Sequence, residues 1–290
     1  MQIRKKSCIF ALAILSFSAQ SQIMQRVTGI GGIFFKAKDP KALAKWYEEH
    51  LGIGFGNNLY FSFYWRENDT ASSPARSELG IFADTSDYFN PSEKQLMLNL
   101  RVENLEILLK ILKQEGVNVQ DKMDKYAYGN FSWITDPEGN KIELWEPIES
   151  GFGEEEKVAA ERINAMTRVT GIGGIFFKSK NQAQLMDWYD KHLGITFTES
   201  YHAFNWMDFN DKNKKCGTIF SIFKDSTKYF EPSQKEFMIN FRVNNLEALM
   251  NDLKKEGVQS AGEFVKYSYG NFLWIMDPEG NKIELWEPGD

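Results

Sequence analysis

Residues 129–147 read GNFSWITDPEGNKIELWEP, and residues 270–288 read GNFLWIMDPEGNKIELWEP. Each stretch is a β-hairpin in the making. In Asp136-Pro137-Glu138-Gly139-Asn140 the proline fixes one backbone dihedral and the glycine takes a positive one, so the chain reverses there. Pairing across that turn sets Ile134 against Ile142 and Trp133 against Glu143. Side chains alternate along a strand. Ile134, Ile142 and Leu144 therefore share one face, suited to packing under helices. Phe131, Trp133, Glu143 and Trp145 share the other.

Upstream, residues 26–36 read RVTGIGGIFFK, and residues 168–178 repeat the same eleven letters. The offset is 142 at this end and 141 at the hairpin, so one residue is lost between the copies. A period this long makes each copy a domain rather than a solenoid unit. The expected division is a domain over 22–149, a linker helix over 150–167 containing GFGEEEKVAAERINAM, and a second domain over 168–290.

Within copy one the expected elements are strand Ile30–Ala37, a helix begun by Asp39-Pro40 and stopped by Gly52, and strands Tyr60–Glu67 and Glu78–Ala83. The pattern then restarts. Strand Leu96–Val102 is followed by a helix capped by Asn104 and ending near Gly116, then by strands Val117–Met123, Asn130–Thr135 and Lys141–Trp145. Leu96, Leu98, Leu100 and Val102 point one way, and Met97, Asn99 and Arg101 the other. A face mixing Trp, Met, Asn, Arg and Glu suits the floor of a partly closed cup better than an open surface. The expected fold class is α+β, with four βαβββ units paired into two cup-shaped mixed-sheet domains.

The amino terminus reads as a cleaved secretory signal over residues 1–21. Arg4, Lys5 and Lys6 precede the apolar run Cys8–Leu15, and small residues follow. That run is too short to span a bilayer, which takes about 20 residues. The expectation is a secreted or periplasmic protein with no membrane segment after cleavage. Without those three cations the chain carries 31 basic against 40 acidic residues, a balance of −9 in place of −6. No basic stripe is left for nucleic acid. Cys216 then stands alone, which excludes an internal disulfide and a cysteine-based zinc site. Gly29-Ile30-Gly31-Gly32 lacks the third glycine and following helix of a dinucleotide loop. The DPEGN turn is too short for a calcium loop, and no histidine is placed to activate a serine.

DPKALAKWYEEHLGI (39–53), MLNLRVENLEILL (97–109) and the DPEGNKIEL hairpin resemble the vicinal oxygen chelate superfamily. That superfamily includes glyoxalase I, bleomycin and fosfomycin resistance proteins and extradiol dioxygenases. The resemblance covers both copies. It implies a cup that holds a divalent metal in the family's enzymes, on two His or Gln and one or two Glu. Carried over, the ligand positions fall on Gly32, Met97 and Glu143, and on Gly174, Met238 and Glu284. The fourth falls within Leu79–Phe82 or Phe220–Phe223, which hold no carboxylate or imidazole. One carboxylate per cup is too few for a catalytic metal, so no metal and no cofactor is expected. Of the three histidines, His50 and His192 sit at helix C-termini where imidazole suits the dipole. His202 is set against Tyr60 of copy one.

The candidate site residues are then Glu143 and Glu284, either as metal-free bases or as relics held by neighbouring Tyr and Trp. Trp65, Trp133, Trp206 and Trp274 would stack on a flat ligand or fill the cups. Asn99 with Arg101, and Asn240 with Arg242, would clamp an anion or form ion pairs. Tyr128 and Tyr269, in the YxYG segments before the cup strand, belong to a lid or to a plain turn. The leading functional reading is a small-molecule-binding protein without a catalytic metal. The alternatives are a glyoxalase-type lyase or isomerase acting on a carbonyl substrate through a cup glutamate, and a structural or partner-binding module. Oligomeric state is not readable.

Overall fold

The computed structural model describes residues 26–67, 74–148 and 168–289. The segments read as a signal (1–21) and as a linker helix (150–167) lie outside these residues. Copy one contains β1 (Gly29–Ala37), α1 (Pro40–Leu51), β2 (Tyr60–Arg66), β3 (Pro74–Ala83), β4 (Leu96–Arg101), α2 (Leu105–Gln114), β5 (Asn118–Val119), β6 (Asp124–Tyr126), β7 (Gly129–Thr135) and β8 (Lys141–Pro147). Copy two repeats it with β9 (Val169–Ser179), α3 (Gln182–Leu193), β10 (Tyr201–Asp208), β11 (Lys215–Lys224), β12 (Phe237–Val243), α4 (Leu246–Lys255), β13 (Val265–Tyr267), β14 (Gly270–Met276) and β15 (Lys282–Pro288).

The helix limits follow from local chemistry. Asp39 caps α1 by accepting from the Ala42 N–H, Pro40 opens the helix, and Gly52 closes it at φ +70°. Asn104, Asn181 and Asn245 cap α2, α3 and α4 in the same way. The leucine faces of α2 and α4 bury against the sheet side carrying Leu98, Leu100, Ile134, Ile142 and their repeats, in one core that runs through both copies.

In copy one β1 pairs in parallel with β3 and antiparallel with β4, and β4 pairs in parallel with β8. The order β2-β3-β1-β4-β8-β7 curves into a cup, and copy two repeats it as β10-β11-β9-β12-β15-β14. A short β2–β10 pairing, Arg66 with Met207 and Trp65 with Asp208, joins the cups into one sheet of 15 strands. The hairpin register is the expected one, with Trp133 opposite Glu143 and Ile134 opposite Ile142. No described helix is long and apolar enough to cross a membrane.

Three expectations are corrected. The stretch Val117–Met123 is not one strand. Asn118–Val119 pairs with Thr135 and Ile134, the Gln120 N–H still reaches the Trp133 carbonyl, Ser132 Oγ then donates to the Lys122 carbonyl, and Asp124 resumes pairing at Phe131. In the first half of each copy the helix is followed by two described strands, not three. Ile53 is buried and Phe55 packs against the core, but the Gly56 N–H turns back to the Tyr60 carbonyl instead of extending. Finally, Phe61 pairs with Leu79 as His202 pairs with Phe220, so the counterpart of His202 is Phe61, and Tyr60 matches Tyr201.

The seam between the copies is built twice from the same residues. Tyr47 on α1 donates to Asp277 in the hairpin turn of copy two (3.1 Å), and Tyr189 on α3 donates to Asp136 (3.3 Å). Glu138 accepts from the Asn181 N–H ahead of α3, and Glu279 from the Asp39 N–H ahead of α1. Arg26 bonds Glu115 and the His192 carbonyl, while Arg168 bonds Glu256 and the His50 carbonyl. Imidazoles complete each set, His192 on Glu115 and His50 on Glu256. These histidines thus hold the two halves together.

Hydrogen bonds from Arg26, and next from His192 against the opposing effect of burial, hold the Glu115 carboxyl down at about 2, against 4.5 for a free glutamate. A depressed folded-state value adds stability that is present above 4.5 and lost as pH falls toward 2. The melting-temperature difference between the native protein and Glu115→Gln is therefore expected to be constant above pH 5 or so and to shrink toward zero near pH 2. A difference that stays flat across this range in calorimetry would remove Glu115 from the seam.

Candidate functional site

Strand register lines up one row of side chains across the floor of cup one. Ser62 is the cross-strand neighbour of Glu78, Glu78 of Gly32, Gly32 of Asn99, Asn99 of Glu143, and Glu143 of Trp133. In cup two the row reads Ala203, Ile219, Gly174, Asn240, Glu284 and Trp274. Neighbours in register point to the same face, so the row sets the chemistry of each cup.

Glu143 is 2% exposed. Its Oε1 accepts from Asn99 Nδ2 at 2.6 Å, and its Oε2 accepts from Trp133 Nε1 at 2.9 Å and from the Tyr88 hydroxyl. Burial pushes its carboxyl above the usual glutamate range, and the three donors pull the other way. Glu284 has the same environment from Tyr229, Asn240 and Trp274, and is raised for the same reason. Tyr88 is fixed in turn. It stacks on Phe82 with ring centroids 5.2 Å apart, and Lys141 Nζ reaches the Tyr88 carbonyl at 2.6 Å beneath the Tyr88 and Trp133 rings. Burial lowers the Lys141 ammonium below its ordinary value, although Glu143 favours its charge.

Asn99 explains a glycine. Its Oδ1 lies over Gly31, and a Cβ on that residue would sit 2.0 Å from it. Gly173 stands in the same relation to Asn240, at 2.1 Å. Gly31 in the GIGG stretch is therefore glycine because the amide that holds Glu143 occupies the space of a side chain.

Above the floor of cup one is a cleft of about 540 Å3. Its walls include Phe34, Tyr60, Tyr88, Phe131 and Trp133, and its polar edge includes Ser62, Arg76, Glu78 and Asp124. Glu78 bonds the Ser62 hydroxyl and Arg76 Nε, both at 2.8 Å, and burial raises its carboxyl. At the mouth Tyr126 and Tyr128 stack 5.3 Å apart, each about half exposed, with their edges on Phe131. Tyr267 and Tyr269 form the matching pair in copy two.

Of the candidate residues of copy one, the structure brings together Asn99, Tyr128, Trp133 and Glu143 around this cleft. Asn240, Trp274 and Glu284 meet in cup two, with Tyr269 at its mouth. Trp65 and Trp206 lie elsewhere, against each other at the junction of the copies, with ring centroids 6.3 Å apart. Arg101 is held by Glu67 at 2.6 Å between Trp65 and Trp145, and Arg242 faces Asp208 at 3.6 Å. Two residues escaped sequence reasoning. Tyr88 sits in DYFNPS (87–92), repeated as KYFEPS (228–233), and that self-similarity was the signal. Glu78 lies one residue outside the stretch expected to hold the fourth ligand position, so cup one carries two carboxylates on its floor, not one.

The donor set does not fit the metal that the superfamily's enzymes hold. By register the position beside Gly32 is Asn99, not the expected Met97. Gly32 offers no donor, Asn99 turns Nδ2 to Glu143 and Oδ1 over Gly31, and Met97 is buried among aromatic rings. Both Glu143 oxygens already face N–H or O–H donors, and Glu78 faces a guanidinium and a hydroxyl. Among the described residues no three His, Cys, Asp or Glu side chains converge.

A family model described as the Glyoxalase/Bleomycin resistance protein/Dioxygenase superfamily matches residues 29–144 and 172–285. The chain belongs to that superfamily. No curated protein matches it significantly. Similar solved structures include the 2,3-dioxygenase LapB from Pseudomonas sp. KL28, at 13% identity and TM-score 0.57, covering 92% of this chain and 94% of that one. The Mn(II)-bound glyoxalase from Novosphingobium aromaticivorans aligns at 14% identity and TM-score 0.56 over 90% and 82% of the two chains. Homoprotocatechuate 2,3-dioxygenase from Arthrobacter globiformis aligns at 12% and 0.58 over 91% and 80%. At these identities the likeness is one of fold.

Two outcomes are expected. Tyr88→Phe removes a donor that favours the ionised carboxylate, so Glu143 titrates at a still higher pH, read from its carboxyl carbon by NMR. Gly31→Ala forces Asn99 off Glu143 and destabilises the fold by about 1–3 kcal/mol. Adding Asn99→Ala recovers part of that loss, and strict additivity in denaturant unfolding would show that the two residues do not compete for one space.

Proposed function

We propose that the protein binds a small organic molecule in cup one through its own side chains, without a catalytic metal, and that it acts outside the cytoplasm. The observation that carries the binding reading is an open aromatic cleft above a buried carboxylate whose oxygens are already engaged. Protein hydrogen-bond donors hold that carboxylate, and the cleft is in the size range of ordinary ligand pockets. The extracytoplasmic placement is supported by the signal-like residues 1–21 alone. A mature mass lacking them, in protein from the periplasm or medium, is its test.

A second reading keeps Glu143 as a base acting on a carbonyl compound. Burial that raises its carboxyl favours it. The three donors disfavour it, because a base must turn a free lone pair toward the proton it takes. Turnover that survives chelators and disappears in Glu143→Gln would establish that reading.

The binding reading is tested by thermal shift on chelator-dialysed protein against a broad panel of aromatic, cationic and carbonyl compounds. Some are expected to raise the melting temperature by mass action, whereas zinc, nickel and manganese are not. Elemental analysis is expected to find less than one tightly bound transition metal per chain. A stoichiometric metal, or a panel in which nothing stabilises, would overturn the proposal.

A further inference from the structure

The duplication supplies an internal comparison. Both cups share Asn, Glu, Trp and Tyr in one bonding pattern. Their linings diverge at four register-matched places. Ser62, Arg76, Glu78 and Asp124 of cup one stand where cup two has Ala203, Gly217, Ile219 and Val265. Ile219 packs with Phe223 and Trp274 in an apolar cluster, where Glu78 keeps a fifth of its side chain exposed beside the cleft. A polar group beside an apolar cleft is expensive to keep unless it meets something polar. Ser62 and Arg76 meet Glu78 in cup one, so the shared residues build both cups and the unshared polar set is an addition to one.

We propose that cup one alone is the ligand site, and that it selects a flat organic cation, a ring system bearing a protonated nitrogen, through Glu78 and Asp124. The inference rests on the reading of cup one as a binding site. Among the residues lining the cleft the carboxylates Glu78, Asp124 and Glu143 outnumber Arg76, and Lys122, outside the lining, pairs with Asp124 at 2.8 Å. Around them stand the faces of Tyr60, Phe131 and Trp133, and ring faces attract cations. The field in the cleft agrees in sign. Burial first, and then Glu143 and Glu78, raise the Tyr60 hydroxyl far above its ordinary value. Arg76 and Glu78 offset each other across 2.8 Å, and the Arg76 guanidinium lies over the Trp145 ring.

Benzamidine, benzamide and benzoate have nearly one shape and carry a positive, zero and negative charge. Tryptophan fluorescence titration of the full mature chain with each is the test. Benzamidine is expected to bind about tenfold more tightly than benzamide, and benzoate most weakly. Glu78→Gln and Asp124→Val are each expected to shrink that ratio, while Tyr267→Ala at the exposed mouth of cup two leaves it unchanged. Asp124 lies near the rim, so its variant carries the test if Glu78→Gln fails to fold. Equal binding of all three, abolished by Glu78→Ile, would overturn charge selection and leave cup one a binding site. Benzamidine binding lost in Tyr267→Ala would overturn the assignment to cup one. No binding of any of the three would overturn this inference, while the wider panel still decides whether the protein binds another class.

Discussion

A carboxylate 2% exposed on the concave face of a sheet constrains everything around it. Removing a carboxylate from water without partners is prohibitive, so Glu143 must be met from several directions at once. The donors come from three separate elements: Asn99 from β4, Trp133 from β7, and Tyr88 from the loop before β4. Each donor then imposes its own condition. Asn99 excludes a side chain at Gly31. Tyr88 needs Phe82 behind its ring and Lys141 under its carbonyl. Strand register, a glycine and a buried lysine thus follow from one charge, and the same chain of conditions recurs around Glu284.

The hairpin that positions Glu143 also holds the copies together. Asp136 closes its own turn by accepting from the Glu138 and Asn140 N–H groups, and its second oxygen takes the Tyr189 hydroxyl from the other copy. Glu138 in the same turn meets the N–H groups ahead of α3. Because copy two returns the tyrosine contact, Tyr47 to Asp277, and the Asp39 N–H contact to Glu279, the seam is reciprocal, as in the two-fold interface of a homodimer. Each floor strand is therefore anchored at its turn end by the other copy's helix. Packing and turn chemistry alone account for the strength of the repeated DPEGN sequence.

The cup faces were legible because alternation in strands is rigid. Once the turn was placed, Trp133 had to face Glu143, and Asn99 had to share the face of Met97 and Arg101. What escaped was lateral. Sequence shows which way a side chain points but not its neighbour two strands away. Glu78 was passed over because its partner Gly32 lies across a parallel pairing. Arg101 points to the cup face as expected, yet Glu67 and the Trp65 and Trp145 rings hold it away from the cleft, while Trp65, three residues from Ser62, lies on the opposite face with Phe61 and Phe63. Tyr88 reaches Glu143 from a loop, where no periodicity marks direction. The strand over Val117–Met123 failed for a similar reason, since Ser132 takes a carbonyl that a regular ladder would use.

Internal duplication lets one chain separate scaffold from recognition. A residue present in both cups and satisfied by its own neighbours is accounted for by folding. Glu143 and Glu284, with three protein donors each, belong there. A charged residue present in one cup only, beside open space, is not so accounted for, because cup two forms the same sheet with Ile219 in place of Glu78. The frame does not require that carboxylate, and burial raises it, so the fold gains little from it. Its partners Ser62 and Arg76 are likewise absent from cup two, so the three form one polar unit added to a frame that folds without them.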